Sequence, residues 1–435
     1  MVAPLGLGGE ETRILLSICG DDGSATTIIP KIAAVFLQFH GASGIGSAEA
    51  DPPWTTQITG TTLKGEKVAV LIRASSTTDG FSLLASGMAD IALAIREPSP
   101  NELPNVGSLK MAERAREVEA IALNAMVLIV NTATKITTLS FDQARGIFAG
   151  KITDWSMVGG HRGPIHRYSR AIDYRSNPLF GAAMGNEAIL PGLRVVSSYT
   201  AMRDSVSDDR QAIGYVPLNF IFQQRMSTWG NLKPVRFRLG NRLMAQPNEY
   251  GLATGDYPLV FPILLYRLPG HDNTEIDTFF AIANSVEAHV IEMFAGLTTV
   301  TPRLLFPHFD QPLPEAYGKL VRNALRVSTT VRFEPGTMAV SARTRQSLDD
   351  LATFLRRLDV APQRLRHLVF SQDTGSVNRD LDIASMLGTV FQRELRTRNV
   401  RIGQIVPLGG IYPLASSKSP LGQWLNRRVE TWCSP

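Results

Sequence analysis

Residues 13–39 read Arg13-Ile14-Leu15-Leu16-Ser17-Ile18-Cys19-Gly20-Asp21-Asp22-Gly23-Ser24-Ala25-Thr26-Thr27-Ile28-Ile29-Pro30-Lys31-Ile32-Ala33-Ala34-Val35-Phe36-Leu37-Gln38-Phe39. Arg13 to Cys19 is an apolar run of strand length, and Gly20 to Ser24 is a polar turn. Beyond the turn, Ile28, Ile29, Ile32, Val35, Phe36 and Phe39 recur at the spacing of one helix face. Ser24, Thr26 or Thr27 can cap that helix, and Pro30 is tolerated only in a first turn. A strand, a Gly/Ser turn and a helix start in succession present free backbone N–H groups and a positive dipole end, which suits an anion. The same residues read alone also describe a plain capped turn.

The unit repeats. Lys67 to Arg73 is a short apolar strand, followed by Ala74-Ser75-Ser76-Thr77-Thr78-Asp79-Gly80 and a helix carrying Phe81, Leu83, Leu84 and Met88. Asp90 to Ile95 is a further strand, closed by Arg96-Glu97-Pro98. Ile121 to Val130 is a buried strand, and Ser140 caps a short helix that reaches Phe148. Ile165 to Arg170 is a strand followed by a helix through Phe180 and Met184. Repeated strand, polar turn and helix predict an α/β protein with largely parallel sheets. In such sheets ligands bind beyond the strand C-termini, where these Ser/Thr/Arg clusters fall.

Composition sets the outer bounds. A chain of 435 residues with 44% hydrophobic and 19% charged side chains is long enough for two or three globular domains. No apolar run approaches the roughly 18 residues of a membrane-spanning helix. Cys19 and Cys433 lie at opposite ends, which excludes a disulfide scaffold and a cysteine-rich zinc site. Met1 to Glu11 lacks the charged start and apolar stretch of a signal peptide. As written, the sequence therefore predicts either a cytosolic protein or one whose export signal has been removed.

Charge is uneven. From Glu315 onward there are 18 Lys+Arg against 10 Asp+Glu, and before it 26 against 29. A basic C-terminal third and a slightly acidic remainder predict two units. The stretch from Phe306 to Tyr317 holds Pro307, Pro312 and Pro314 without periodicity and reads as an extended, exposed connector, with the linker bounded at 306–324. Beyond it, Arg326 to Phe333 and Leu365 to Phe370 are strands. Ser341 caps a helix, Leu381 to Arg398 is another, and Val400 to Val406 and Val429 to Cys433 supply further strands. The order βαβαββ predicts a compact α/β sandwich over 325–435.

In order along the chain stand Gly23-Ser24 to Pro30, Ser75-Ser76-Thr77 with Ala85-Ser86-Gly87-Met88-Ala89-Asp90-Ile91-Ala92, Leu139-Ser140 with Ile147 to Trp155, and Ala212-Ile213-Gly214-Tyr215-Val216. Through these, residues 14–300 resemble the PstS-like periplasmic phosphate-binding proteins of ABC importers. The resemblance implies a two-lobed periplasmic-binding-protein fold (type II) over 14–305 after a flexible tail at 1–13, with the second lobe at about 126–235. It implies an oxyanion, phosphate first, held between the lobes by Ser24, Thr26, Ser75, Ser76, Thr77, Arg96, Arg170 and Ser176. It also implies an ABC permease as partner. The family's Ser-Gly-Thr triplet after the arginine is replaced by Ala171-Ile172-Asp173-Tyr174-Arg175-Ser176, where bulky side chains stand in place of glycine. Arg96 stands at the strand end where the family has a carboxylate, and Asp173 is a candidate substitute.

Residues 325–435 resemble the OmpA-like peptidoglycan-associated domain through Val331-Arg332-Phe333-Glu334-Pro335-Gly336, Phe370-Ser371-Gln372-Asp373, Asn378-Arg379-Asp380-Leu381 and Asn426-Arg427-Arg428-Val429-Glu430. The resemblance implies cell-wall association, with Asp373, Asn378, Arg379 and Arg427 as the peptidoglycan site. Ser385 stands where the family has an arginine that forks onto the ligand's carboxylate, which predicts weak binding.

The seven histidines, His161 and His166 among them, show no metal-ligand spacing, and no nucleophile–base pair is legible. Trp54 and Trp155 read as packing residues, and no nucleic-acid motif accompanies the basic C-terminus. The chain thus reads as a non-enzymatic, cofactor-free envelope protein, periplasmic or associated with the outer membrane. It would bind an oxyanion or, alternatively, serve as a scaffold or sensor that has lost both ligands.

Overall fold

The computed structural model describes residues 12–98, 101–102, 117–170, 192–223, 229–239, 243–269, 273–307, 309, 312–418 and 420–435. The first strand, β1 (Arg13–Asp21), runs parallel to β4 (Lys67–Ser75) and to β5 (Ile91–Ala94). Between them in sequence come the helix Ile29–Phe39, β2 (Ala42–Ala50) and β3 (Thr55–Thr62), and the last two pair antiparallel. Gly20 lets β1 and β5 approach closely. Its φ is +146°, and a Cβ there would lie 1.9 Å from the Leu93 carbonyl oxygen.

The 14-residue β6 (Val118–Asn131) leaves this first lobe and enters a second. There β7 (Thr138–Ser140), β8 (His166–Arg170), β9 (Leu193–Val196), β10 (Ala212–Pro217), β11 (Leu232–Pro234), β12 (Arg236–Leu239) and β13 (Leu243–Ala245) follow. Strand β14 (Val260–Tyr266) crosses back antiparallel to β6, and β15 (Thr298–Thr299) also pairs with β6. One twelve-stranded sheet results among the described residues, in the order β2-β3-β4-β1-β5-β14-β6-β10-β8-β9 with β11 and β15 beside β6. It is parallel only at β4-β1-β5 and β10-β8-β9, so the expectation of largely parallel sheets is corrected. The hairpin β2–β3 and the two crossing strands need no helical crossover, and they pair antiparallel.

Each lobe has its own core. Leu16, Ile18, Phe36, Ile263 and Phe279 centre the first, and Leu128, Ile147, Trp155, Tyr215 and Tyr257 the second. Each such burial contributes roughly 1.5–3 kcal/mol. The second core also draws on residues from Phe237 to Phe261. Trp155 packs as expected, whereas Trp54 is 83% exposed in a turn between β2 and β3.

The helix Val286–Phe294 of the first lobe is turned inside out. Ala288 and Glu292 face inward, while Val286, Val290, Met293 and Phe294 are exposed. Glu292 is 0% exposed, and among the described residues neither carboxyl oxygen has a hydrogen-bond partner. Burial pushes this carboxyl up to about 8.

Strands β13, β12 and β7 form a small three-stranded sheet in that order, and the C-terminal sheet is five-stranded in the order β16-β17-β20-β18-β19, built from β16 (Leu304–Leu305), β17 (Leu325–Arg332), β18 (Leu365–Phe370), β19 (Gln404–Gly409) and β20 (Arg428–Cys433). The helices Ala342–Leu358, capped by Ser341, and Val377–Thr397 flank it. Its core is Val331, Phe333, Leu351, Leu387 and Phe391. The stretch expected to be an extended, exposed connector is drawn into this unit instead. Glu315–Val321 is a helix, and its buried Tyr317 packs with Phe309, Phe370 and Trp432. The C-terminal unit also packs on the second lobe, because Leu414, Ala415 and Leu425 join the Leu252–Tyr257 cluster.

Polar contacts reinforce that junction. Arg326 donates to Asp256 at 2.6 Å and to the Tyr250 hydroxyl at 3.1 Å, and Arg332 donates to Asp256 and to the carbonyls of Thr254 and Gly255. Glu430 accepts from Tyr317, Arg428 and Trp432. Arg303, between β15 and β16, is paired with Glu249 at 2.7 Å.

Candidate ligand cleft

Strand β1 delivers Asp21 and Asp22 to the mouth between the lobes. Asp21 caps the short helix Asp22–Ala25, with its Oδ2 accepting from the Ser24 amide at 2.9 Å and from the Ser24 hydroxyl at 2.8 Å. Burial pushes the Asp21 carboxyl up to about 6, and the neighbouring Asp22 charge adds to this. The bonds from Ser24 and the charge of Arg170 offset part of the rise. Thr26 is exposed and donates its hydroxyl to the Asp22 carbonyl at 2.7 Å.

At the end of β4, Ser75 Oγ lies 3.3 Å from Cys19 Sγ. Ser76 caps the helix Thr77–Ala85 in a reciprocal capping box with Asp79. Thr77 is buried, and its hydroxyl oxygen accepts from the Ile95 amide at 3.3 Å. Arg96 forks onto Glu102 at 2.6 and 2.7 Å, donates to Thr78 Oγ1, and lies over the Phe81 ring. Its charge is therefore met by a protein carboxylate.

Arg170 ends β8 in the second lobe and is 4% exposed. Its guanidinium forks onto Asp22 of the first lobe, Nη2 to Oδ2 at 2.7 Å and Nη1 to Oδ1 at 3.4 Å. The Tyr199 ring covers it at 4.3 Å. Beneath it, Ser169 Oγ lies 2.8 Å from Tyr215 Oη. A second bridge between the lobes runs from Asn219, whose amide donates to Thr27 Oγ1 at 3.3 Å and accepts from Asn124 at 3.0 Å. Ser176, Asp173, Tyr174 and Arg175 lie outside the described residues.

The expected site residues thus divide. Ser24 and Arg170 come together around the Asp21–Asp22 pair, while Ser76 caps its own helix, Thr77 meets the Ile95 amide and Arg96 serves Glu102. Asp22, Tyr199 and Asn219 were not singled out in the sequence. Only the Gly-Asp-Asp-Gly turn after β1 pointed toward Asp22.

In the C-terminal unit, Asp373, Asn378, Arg379 and Ser385 are all exposed near the N-terminal end of the helix Val377–Thr397. Asp373 Oδ1 accepts from the Gly375 amide at 2.9 Å, and Ser385 donates its hydroxyl to the Leu381 carbonyl. Arg427 is buried, donating to Gln372 Oε1 at 3.0 Å and to the Thr337 carbonyl at 2.5 Å. Asp380 is buried and accepts from the Thr374 amide and hydroxyl. Asn426 is fully buried and pins the 414–417 loop through both ends of its amide.

Among the described residues no group of three or more His, Cys, Asp or Glu side chains could hold a metal ion, and no helix is long and apolar enough to cross a membrane.

Residues 47–284 match the model of the PBP superfamily domain. Two curated proteins, each named phosphate-binding protein PstS 2 and from Streptococcus agalactiae serotypes V and III, are 35% identical over 92 residues. That match takes in 21% of this chain and 28% of each relative's length, so the chain spans well under half of the curated relatives it matches. Among solved structures, an ABC-type phosphate transport receptor from Vibrio cholerae is 24% identical with a TM-score of 0.49, covering 65% of this chain and 99% of that one. A putative phosphate ABC transporter substrate-binding protein with bound phosphate from Clostridium perfringens is 18% identical with a TM-score of 0.49, covering 66% and 99%.

Proposed function

The chain belongs to the PBP superfamily, and on that premise we propose that it is a non-enzymatic receptor that closes two lobes on an oxyanion, phosphate first. The observation that carries this reading is Arg170. Its fork is nearly buried, fixed by Tyr199, and already holds a carboxylate in the geometry an oxyanion would take. The two streptococcal relatives are named phosphate-binding proteins, which favours phosphate. In this reading Asp21 takes the part of the family's ligand-facing carboxylate, accepting a hydrogen bond from the protonated oxyanion. Ser24 and the amides at the start of the helices supply donors. Delivery to an ABC permease in the periplasm belongs to the same reading.

Calorimetry on the full chain with phosphate and sulfate tests it. Phosphate is expected to bind, and Arg170→Ala to weaken it at least about tenfold, the effect of one lost charge-assisted hydrogen bond. No binding of any oxyanion by ligand-free protein would overturn the reading.

A second reading has its own support. Ser76 and Thr77 are engaged within their own lobe, and Arg96 and Arg170 already meet protein carboxylates. These contacts favour an envelope scaffold or sensor that no longer takes a ligand. In either case the C-terminal unit would serve cell-wall association through the exposed Asp373 and Arg379, with Asn378 beside them. The buried Arg427 would hold the strand-end loop through Gln372 rather than touch peptidoglycan.

A further inference from the structure

We propose that Asp22 is a built-in occupant of the anion position at Arg170, holding the lobes together without ligand, and that an incoming oxyanion binds by displacing it. This rests on the receptor reading above and deepens it. Asp22 and Arg170 are 148 residues apart and belong to different lobes. The two ends of the pair sit in unequal surroundings, since the Arg170 side chain is 5% exposed and that of Asp22 is 34% exposed. Arg170 is a buried cation, and Asp22 meets it with a carboxylate from the opposite lobe. The pair therefore draws the two lobes toward each other. The Thr27–Asn219 bond adds a second, neutral tie between the same two bodies.

The fork also sets the terms of binding. A carboxylate and a phosphate oxygen pair accept from a guanidinium in the same planar, two-pronged way. Both cannot use the two Nη groups at once. Asp22 opens the short helix Asp22–Ala25 with its side chain partly in water and can swing away, whereas Arg170 is held between Tyr199 and β8. Affinity is therefore reduced by the fraction of molecules in which Asp22 fills the position. Asp22 becomes an affinity-setting residue that a comparison of ligand contacts alone would miss.

The test uses the full chain with spin labels at Leu63→Cys in the first lobe and Met157→Cys in the second. Both positions are exposed, and Cys19 and Cys433 are buried. Without ligand, the parent protein is expected to give one short inter-lobe distance, and Asp22→Asn a longer, broader one. Asp22→Glu keeps the charge and should stay short, which separates loss of the tie from misfolding. By calorimetry, Asp22→Asn should bind inorganic phosphate about tenfold more tightly, or better, than the parent. If neither protein binds phosphate but Asp22→Asn still opens the lobes, the tie stands and the phosphate reading falls. If phosphate binds normally while Asp22→Asn changes neither the distance nor the affinity, the proposal is overturned and the receptor reading survives.

Discussion

Asp256 Oδ2 accepts a 2.6 Å hydrogen bond from Arg326 Nη1 across the boundary between the second lobe and the C-terminal unit. Arg332 Nη2 reaches the other oxygen of the same carboxylate at 3.2 Å. Burial works to raise this carboxyl, and the two arginines outweigh it and hold it below the usual carboxylate range. Two units that composition alone separates are thus joined by a desolvated charge cluster.

That cluster should be costly to break from one side. Asp256→Ala removes the buried carboxylate that Arg326 and Arg332 share and should destabilise the protein by about 3–5 kcal/mol. Urea unfolding of the full chain checks this. The parent should unfold with its two units coupled, and the variant should show separate transitions. A loss below about 1 kcal/mol with unchanged cooperativity would mean that the apolar contacts of Leu414 and Leu425 hold the junction unaided.

Glu292 gives a pH signature. Its folded value of about 8 lies above the ordinary 4.5, so the folded state holds the proton more tightly than the unfolded one. The stability this gives is full below about 4.5 and is lost as pH rises toward 8. Glu292→Leu should therefore raise the melting temperature at pH 8 by several degrees and give a much smaller gain at pH 4.5. An equal gain at both pH values would show that packing, not ionisation, is responsible.

The C-terminal helix offers a gain-of-function test. Ser385 is exposed one turn beyond Leu381, on the helix whose start lies beside Asp373. The parent chain should be retained weakly on purified sacculi, and Ser385→Arg should raise retention several-fold. Asp373→Ala should abolish that gain. Strong retention of the parent that ignores Asp373→Ala would place wall binding elsewhere.

Much of the local structure was legible because it depends on near neighbours. Ser140 and Ser341 cap the helices that their spacing indicates, and the strands His166–Arg170 and Leu365–Phe370 fall within the strands expected there. The pairings that define the cleft were not legible. Asp22 meets Arg170 across 148 residues, through geometry that no local pattern encodes. The proline-rich stretch misled for a different reason. Proline does exclude a helix up to Pro314, but the seven residues after it are too few to show a period, and Tyr317 declares its role only against Trp432. Trp54 was misread because size suggested burial, while the turn that carries it points it into water.

The route of the chain past Arg303 has a mechanical consequence. The chain leaves the first lobe at β15 and enters the C-terminal sheet at β16, yet that sheet's unit is packed on the second lobe. Residues 300–303 are thus the short connection between the first lobe and the C-terminal unit, and Arg303 is tied to Glu249 and to the carbonyls of Thr299 and Thr301. An opening of the cleft would flex the crossing strands β6 and β14 together with this connection, and the second lobe would carry the C-terminal unit with it.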